Sequence, residues 1–298
     1  MKISRRQFVK AMAAMSAASM LAASGSGSSG GKKALTFQIW DVAQKEGMEA
    51  MCAAYTQQHP EVSIEVQVTS WNEYWTKLEA AATGNQMPDI FWMHTNELLK
   101  YADNGMLADC SDIVEKDKFS EISLSNAMGS NGTLYAVPKD KDTVGLVYNK
   151  EMFDAAGVAY PDENWTWDNL VSASEKIYAA TGKYGYMAYA DDQLGYWNFV
   201  YQAGGYILNE DKTKAGFTQP ATEKAMKFYI GLQQNDWCPD QTYFAETAPG
   251  TAFFSEKGAM FLEGDWNILA ELQNYPEMVG KWDVAVLPKC PDPESGDG

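Results

Sequence analysis

The segment from residue 35 to residue 93 alternates between strand-like and helix-like hydrophobic patterns, and this order restricts the possible folds more than any other feature. Val62–Val68 alternates apolar and polar residues, as a half-buried strand does. In Met48–Tyr55 the apolar residues recur three or four positions apart, as on one face of a helix. Three predicted strands and two predicted helices follow in the order Leu35–Trp40, Met48–Tyr55, Val62–Val68, Tyr74–Ala82 and Pro88–Met93. This order predicts a parallel sheet with helices on its faces, which is an α/β fold.

Ligands of such sheets bind beyond the carboxyl ends of the strands, and in this chain those ends carry aromatic and polar residues. The three predicted ends are Trp40–Asp41, Ser70–Trp71 and Met93–His94. An indole ring can cover the apolar C–H face of a sugar, and a carboxylate accepts hydrogen bonds from the hydroxyl groups at its rim. These residue types favour a carbohydrate ligand, while core packing is the alternative for each single tryptophan.

The second half of the chain again places tryptophan and aspartate after breaks in the predicted secondary structure. The stretch "AMFLEGDWNI" begins as a buried strand, breaks at Gly264 and then presents Asp265 and Trp266. Asp192 and Trp197 lie in or near another predicted loop. We predict that these side chains lie at a binding surface. The tryptophans that we instead expect in the core are Trp75, Trp92 and Trp282.

Between these two regions, the polar sequence "KDKD" separates two strand-like pieces, Leu134–Val137 and Val144–Tyr148. An apolar connection that is interrupted by charges suggests a crossing between two domains, and Asp142 lies in it. Beyond this crossing the sequence predicts a helix with Thr166 as its N-cap and a final strand at Trp282–Pro288.

The first 31 residues are predicted to be an export signal followed by a flexible Gly/Ser tether. "SRRQFVK" (Ser4–Lys10) resembles the twin-arginine export motif, and a Sec signal that contains two arginines is the alternative. "LAASG" resembles a lipoprotein cleavage site, but Ser24 stands where the lipid-bearing cysteine belongs, and serine cannot form that thioether. We therefore expect a protein exported to the periplasm or to the outer face of the bacterial cytoplasmic membrane.

The chain is acidic, with a formal net charge of −17 at pH 7, which argues against nucleic acid and anionic membrane as partners. The cysteines have no CxxC spacing, so disulfide pairing and burial as thiols both remain open for Cys52, Cys110, Cys238 and Cys290. Outside the Gly/Ser tether, where Gly27–Gly31 matches GxSxG through its low-complexity composition, the sequence contains no GxSxG, Walker loop or HExxH motif. We expect a protein that is not an enzyme and that uses no metal or cofactor.

A series of short motifs, taken in order, resembles the carbohydrate-binding extracellular solute-binding proteins of ABC importers, the family that includes maltose-binding protein. The motifs include "LTFQIW", "YWTKLEAAATGNQMPDIFWM", "YAVPKDKDTVGLVYNKEMFDAAGV", "YQAGGYILNED" and "SEKGAMFLEGDWN". The resemblance extends from Leu35 to Pro288. It implies an α/β fold of two lobes joined by a hinge, with a sugar bound in the cleft between them and with the C-terminal part missing.

The resemblance also implies how the chain is divided and what it contacts. Lobe I is expected at residues 32–141, completed by residues 286–298 and by absent C-terminal residues, and lobe II at residues 142–285. The expected ligand is a mono- or oligosaccharide, which a monomeric protein delivers to the membrane permease of an ABC transporter. With Trp71 from the strand-end analysis, the expected ligand-binding residues are Trp40, Asp41, Gln44, Trp71, His94, Asn96, Asp142, Asp192, Gln193, Trp197, Asp265 and Trp266.

Two other functions fit some of the same features. A secreted glycoside hydrolase would also use tryptophan platforms, with two carboxylates beside the scissile bond. A solute-binding protein for a peptide, polyamine or glycerophosphate would keep the fold. The only arginines are Arg5 and Arg6 in the predicted signal, so a phosphate ligand is disfavoured.

Overall fold

The computed structural model describes residues 32–209 and 213–294, so the predicted export signal and tether at residues 1–31 lie outside the described residues. Within the described ranges, no helix is both long enough and apolar enough to span a bilayer. The described residues divide into two compact units between Val137 and Pro138, and we call the part before this division the first unit and the part after it the second unit. The lobe boundary expected from the resemblance lies between residues 141 and 142.

The sheet of the first unit confirms the predicted parallel arrangement. Strands β1 (Lys33–Ile39), β2 (Val62–Val68) and β3 (Ile90–Phe91) lie in the order β2-β1-β3, and both pairs are parallel. Helices α1 (Lys45–Gln58) and α2 (Trp71–Thr83) connect them. The apolar residues of β1 and β2 are in register, with Phe37 opposite Val66 and Ile39 opposite Val68, so both strands present apolar side chains to the same face.

The third strand is shorter than predicted. Only Ile90 and Phe91 form ladder pairs, although the Trp92 amide still donates to the Gln38 carbonyl at 3.0 Å. The chain then leaves the sheet and enters helix α3 (Thr95–Asp103), whose N-cap is His94. Because the helix begins so soon after the strand, the side chain of His94 lies at the carboxyl edge of the sheet.

The predicted strand at Leu134–Val137 is wrong. Leu134 forms an isolated antiparallel bridge to Met128, and its side chain is buried in a small cluster with Val114 and Ala127. Its burial explains the apolar pattern without a strand. The short helix α4 (Glu121–Ser125) precedes this bridge.

The second unit contains a mixed four-stranded sheet of β4 (Val144–Asn149), β5 (Tyr184–Tyr186), β6 (Gly258–Gly264) and β7 (Trp282–Ala285), in the order β5-β6-β4-β7. Its central strand β6 is buried along its whole length, pairs antiparallel with β4 and pairs parallel with β5. Strand β7 lies at the edge, antiparallel to β4.

Helices cover this sheet and supply most of the core of the second unit. Thr166 is the N-cap of α6 (Trp167–Thr181), as predicted, and its amide and hydroxyl both donate to Asn169 Oδ1 at 2.9 Å. The helices of the unit are α5 Lys150–Ala156, α6 Trp167–Thr181, α7 Trp197–Gln202, α8 Pro220–Leu232, α9 Gln241–Glu246, α10 Pro249–Phe254 and α11 Asp265–Asn274.

Residues 286–294 differ from the expectation that this segment completes lobe I. Strand β7 ends at Ala285, and the Lys289 amide then donates to the Trp165 carbonyl at 2.8 Å. Farther along, the Glu294 amide donates to the Ala203 carbonyl at 3.0 Å, and Cys290 is buried in the core of the second unit. These bonds satisfy the backbone of the segment within the second unit, which is why its described part packs there.

The structure has four free thiols in its described part. Cys238 and Cys290 are buried, and Cys52 and Cys110 are half-buried. Burial raises the pKa of the Cys238 thiol to about 12, so this side chain behaves as a small apolar group.

Candidate functional site

The carboxyl edge of the first sheet carries aromatic side chains, as the sequence predicted. Trp40 follows β1, Trp71 begins α2 three residues beyond Val68 at the end of β2, and His94 caps α3 after β3. Trp71 is 43% exposed, whereas Trp40 is half-buried. Three chain segments that are distant in sequence thus place their aromatic residues at one edge.

We call Trp40, Trp71, Tyr74, Trp75 and Trp92 the aromatic cluster. Trp40 is its hub, because its ring centroid lies 5.0–5.9 Å from the centroids of the other four rings. Trp92 is buried, as expected, and Tyr74 fixes the cluster to the sheet through a 2.7 Å hydrogen bond from its hydroxyl to the Trp92 carbonyl. Burial also raises the pKa of Tyr74, which keeps this hydroxyl protonated as a donor.

The predicted polar residues of the first unit are held by local hydrogen bonds. Asp41 Oδ1 accepts from the Ala43 amide at 2.8 Å, and Asp41 Oδ2 accepts from Gln44 Nε2 at 2.9 Å. His94 Nδ1 accepts from the Asn96 amide at 3.2 Å. A neutral His94 with this geometry carries its proton on Nε2. Each of these side chains therefore has a defined orientation at the start of a helix.

In the second unit, Asp265 is bonded to the end of the segment that links the two units. Its amide donates to the Thr143 carbonyl at 3.1 Å. In return, Asp265 Oδ1 accepts from the Thr143 amide at 3.2 Å and Oδ2 accepts from the Thr143 hydroxyl at 3.4 Å. Asp142, another of the predicted ligand-binding residues, precedes Thr143 in the chain and is exposed. The carboxylate of Asp265 is also exposed, so it retains acceptor positions for a further donor.

Trp266 folds back over the residue that precedes Asp265. A Cβ atom at Gly264 would lie 2.2 Å from both Cη2 and Cζ3 of Trp266, so the indole ring lies directly against the glycine. Trp266 is half-buried, in contrast to the fully buried strand β6 before it. The Gly-Asp-Trp sequence therefore places the six-membered ring of a tryptophan against the backbone at the carboxyl end of a strand.

Glu263 is a residue that the sequence analysis missed. Its side chain is 6% exposed, and Oε1 accepts from the Gly264 amide at 2.8 Å and from Asn267 Nδ2 at 2.9 Å. Burial raises the pKa of Glu263, and the nearby carboxylates Glu271 and Asp191 raise it further. A glutamate at the end of the buried run "AMFLEG" was the available signal, since an acidic residue in such a strand requires a specific hydrogen-bonding role.

The segment 191–197 lies near Glu263 and contains three predicted residues. Asp191 caps a π-helical turn at Asp192–Tyr196 by accepting from the Leu194 amide at 2.7 Å. Asp192 Oδ1 accepts from the Gln193 amide at 2.7 Å, so the carboxylate is turned toward its own backbone. Trp197 is half-buried, and its indole N–H has no hydrogen-bond partner among the described residues.

The structure brings some of the predicted residues close together within each unit. Trp40, Trp71 and His94 meet in the first unit, with Trp71–His94 centroids 5.4 Å apart. In the second unit Asp265 and Trp266 directly follow β6, and the Asp192–Tyr196 turn packs against that strand. The described residues include no cluster of histidine, cysteine or acidic side chains suited to a metal ion. The groups offer apolar faces and hydrogen-bond acceptors, which suit a neutral polyhydroxylated ligand.

Comparison with known proteins identifies the family of this chain. Residues 40–295 match the bacterial extracellular solute-binding protein family, and the chain belongs to it. A lactose-binding protein of Rhizobium radiobacter is 26% identical over 267 residues, which is 86% of this chain and 61% of that protein. A maltotriose-binding protein of Pyrococcus abyssi is 28% identical over 200 residues, 64% of this chain and 40% of that protein.

Solved structures show the same fold. An ABC substrate-binding protein of Listeria monocytogenes, solved in complex with cycloalternan, superposes with a TM-score of 0.76 at 26% identity. The superposition covers 88% of this chain and 68% of that chain. The family and the α/β class of two-lobe periplasmic binding proteins, both expected from the sequence, are confirmed. The chain spans about three fifths of the length of the lactose-binding relative.

Proposed function

We propose that this protein binds an extracellular carbohydrate and delivers it to the permease of an ABC transporter, without chemical turnover. The observation that carries the proposal is the exposed indole of Trp71 at the carboxyl edge of a parallel sheet, beside His94. Relatives that bind lactose, maltotriose and cycloalternan support the ligand class. Flat aromatic faces beside oriented carboxylates are what such ligands need.

The proposed ligand contacts comprise residues from both units. In the first unit they are Trp40, Asp41, Gln44, Trp71, His94 and Asn96. In the second unit they are Asp142, Asp192, Gln193, Trp197, Asp265 and Trp266. Within this set we assign sugar stacking to Trp71 and Trp266, because Trp71 is exposed and Trp266 lies at a strand end. Trp40 supports Trp71 from the core side.

The test is a calorimetric titration of the protein, from residue 32 onward, with lactose and maltotriose. Wild type should bind at least one of these sugars, and Trp71→Ala should bind it about ten- to a hundredfold more weakly, since burial of apolar area contributes roughly 25 cal/mol per Å². Met51→Ala, at another exposed apolar side chain of the first unit, is the matched control and should bind like wild type. Equal binding by Trp71→Ala would remove the observation on which the proposal rests.

The glycoside hydrolase alternative is tested with the same protein. The protein is incubated with maltotriose, and reducing ends are then measured with a reducing-sugar assay. If the protein only binds maltotriose, no new reducing ends should form. Release of glucose or maltose by wild type, lost in carboxylate variants, would replace binding with hydrolysis as the function.

We also propose that the protein is exported, consistent with its membership of an extracellular family. "SRRQFVK" supports the twin-arginine route. Replacement of Arg5 and Arg6 by lysine should leave the precursor in the cytoplasm, as followed by cell fractionation. Normal export of this double variant would instead support a Sec route.

A further inference from the structure

Trp71 is an exposed side chain that is nevertheless held by three aromatic neighbours. The centroid of its ring lies 5.3 Å from that of Trp40, 5.4 Å from that of Trp75 and 5.4 Å from that of His94. The three interplanar angles are 80°, 87° and 76°, so each neighbour packs edge-to-face with Trp71. The neighbours come from the end of β1, from α2 and from the N-cap of α3.

This support is unusual for a ring that remains 43% accessible to solvent. Fixing an exposed aromatic side chain adds little to the stability of the fold. For comparison, Tyr55 is another exposed ring of the same unit, and it stacks on His59 at the end of its own helix. A fixed and exposed ring does, however, lose little rotamer freedom when a ligand covers it. The geometry therefore matches a preorganised stacking surface.

Trp75 differs from the other two neighbours in its position. Trp40 is the hub of the aromatic cluster, and His94 caps a helix, so both have structural roles of their own. Trp75 lies four residues after Trp71 on the same face of α2, and it is half-buried. Its ring also contacts Trp40 at 5.9 Å and Tyr74 at 5.1 Å.

Tyr74 connects this arrangement to the sheet. Its hydroxyl lies 2.7 Å from the Trp92 carbonyl and 3.3 Å from the Gln38 carbonyl, and its side chain is buried. Trp75 thus stands between a rigid part of the fold and the exposed ring of Trp71. Removal of its indole would leave Trp71 with Trp40 and His94 and without support from its own helix.

We propose that Trp75 is a positioning residue for ligand binding: it fixes the orientation of Trp71 without itself contacting the sugar. This inference rests on the proposed function, in which Trp71 stacks on a pyranose ring. It assigns part of the affinity to preorganisation and predicts that affinity falls when Trp71 becomes mobile, even though every residue of the stacking surface is present.

The first measurement needs no ligand. The protein is labelled with 5-fluorotryptophan, and the 19F resonance of Trp71 is assigned from its absence in Trp71→Phe. In Trp75→Leu, 19F relaxation of the Trp71 resonance should report faster side-chain motion than in wild type. The change in the chemical shift of this resonance between H2O and D2O should also be larger than in wild type. Trp282→Leu, at a half-buried tryptophan of the second unit, is the matched control and should leave the Trp71 resonance unchanged.

The second measurement is binding of lactose and maltotriose. Trp75→Leu should weaken the binding by about five- to twentyfold, and Trp75→Phe should recover part of the loss because a smaller ring still packs against Trp71. Melting curves establish that the variants are folded. If Trp75→Leu does not fold, Trp75→Met replaces it, since methionine keeps apolar volume without a ring.

The outcomes separate this inference from the proposed function. An immobile Trp71 resonance in a folded Trp75→Leu protein overturns the positioning role, whether or not the sugars bind. Mobility of Trp71 with unchanged affinity for a sugar that wild type binds also overturns it. If wild type binds neither sugar, the proposed function fails for these ligands, and the 19F measurement alone decides whether Trp75 fixes Trp71.

Discussion

The indole of Trp266 lies on the backbone of Gly264, in the space that any Cβ atom at that position would occupy. Such an atom would be 2.2 Å from Cη2 and Cζ3 and 2.4 Å from Cε3 of the ring. The backbone of Gly264, with φ −90° and ψ 147°, is open to other residues, so it is the ring and not the backbone conformation that requires glycine. The glycine therefore sets the orientation of Trp266.

Gly264→Ala should displace the Trp266 ring and weaken sugar binding. The added methyl group cannot coexist with the ring at 2.2 Å, and Trp266 is only half-buried, so rotation of the ring outward is the least costly response. We expect about a tenfold loss of affinity by calorimetry, with a small change in Tm. Gly231→Ala, at a helical glycine whose Cβ position is open, is the matched control. Retained affinity would show that the orientation of Trp266 is irrelevant to binding.

Trp266→Ala should affect binding more than folding. Loss of contact with one ring face of a sugar should cost about 1–3 kcal/mol of binding free energy, or roughly ten- to a hundredfold in affinity. Trp92→Ala, which empties a buried site, should instead lower the free energy of unfolding by about 3–5 kcal/mol. Titration and melting of both variants compare the two effects. A large fall in Tm for Trp266→Ala with unchanged affinity would place its role in the core.

Asp265 and Thr143 allow a structural role to be separated from a ligand role. Asp265→Asn keeps Oδ1 as an acceptor for the Thr143 amide, so its stability should change by less than about 1 kcal/mol. Loss of the charged acceptor should still weaken sugar binding. Asp265→Ala removes both acceptors and should reduce stability and affinity together. Calorimetry and melting test this pattern. If Asp265→Asn binds the sugar as tightly as wild type, the role of Asp265 is limited to its structural bonds with Thr143.

Glu263 should make the stability of the protein depend on pH. Burial raises its pKa in the folded state above that in the unfolded state, so its ionisation on going to higher pH favours unfolding. Glu263→Gln keeps an oxygen acceptor for Gly264 and Asn267 and removes the charge. Its Tm should exceed that of wild type at pH 8, and the difference should disappear at about pH 4 and below, where the carboxyl is protonated in both states.

The matched control for this prediction is Glu65→Gln, at an exposed glutamate of strand β2. Melting curves between pH 4 and pH 8 should show no comparable gain for Glu65→Gln. A lower Tm for Glu263→Gln at pH 8 would mean that the ionised carboxylate is required by its hydrogen bonds, contrary to the prediction.

Local patterns were sufficient to predict the first sheet but not its limits. The apolar alternation of Val62–Val68 and the helical spacing of Met48–Tyr55 identify elements whose signals lie within the elements themselves. Strand β3 has only two ladder residues, because its length depends on where the chain leaves its neighbour β1. Leu134 lies in a segment with a strand-like apolar pattern, but its side chain is buried by contacts with Val114 and Ala127 instead of in a sheet.

The sequence by itself determined the family, the parallel β-α-β-α-β order and the residue types available at the strand ends. Only the tertiary structure decided how those residues are used: that Trp40 is a hub and Trp71 an exposed ring, that Asp265 is bonded to Thr143, and that residues 286–294 pack on the second unit. Periodicity reports which face of an element is apolar. Partners such as Asp265 and Thr143 are far apart in the chain, so their contacts follow from the packing of elements, which no local pattern encodes.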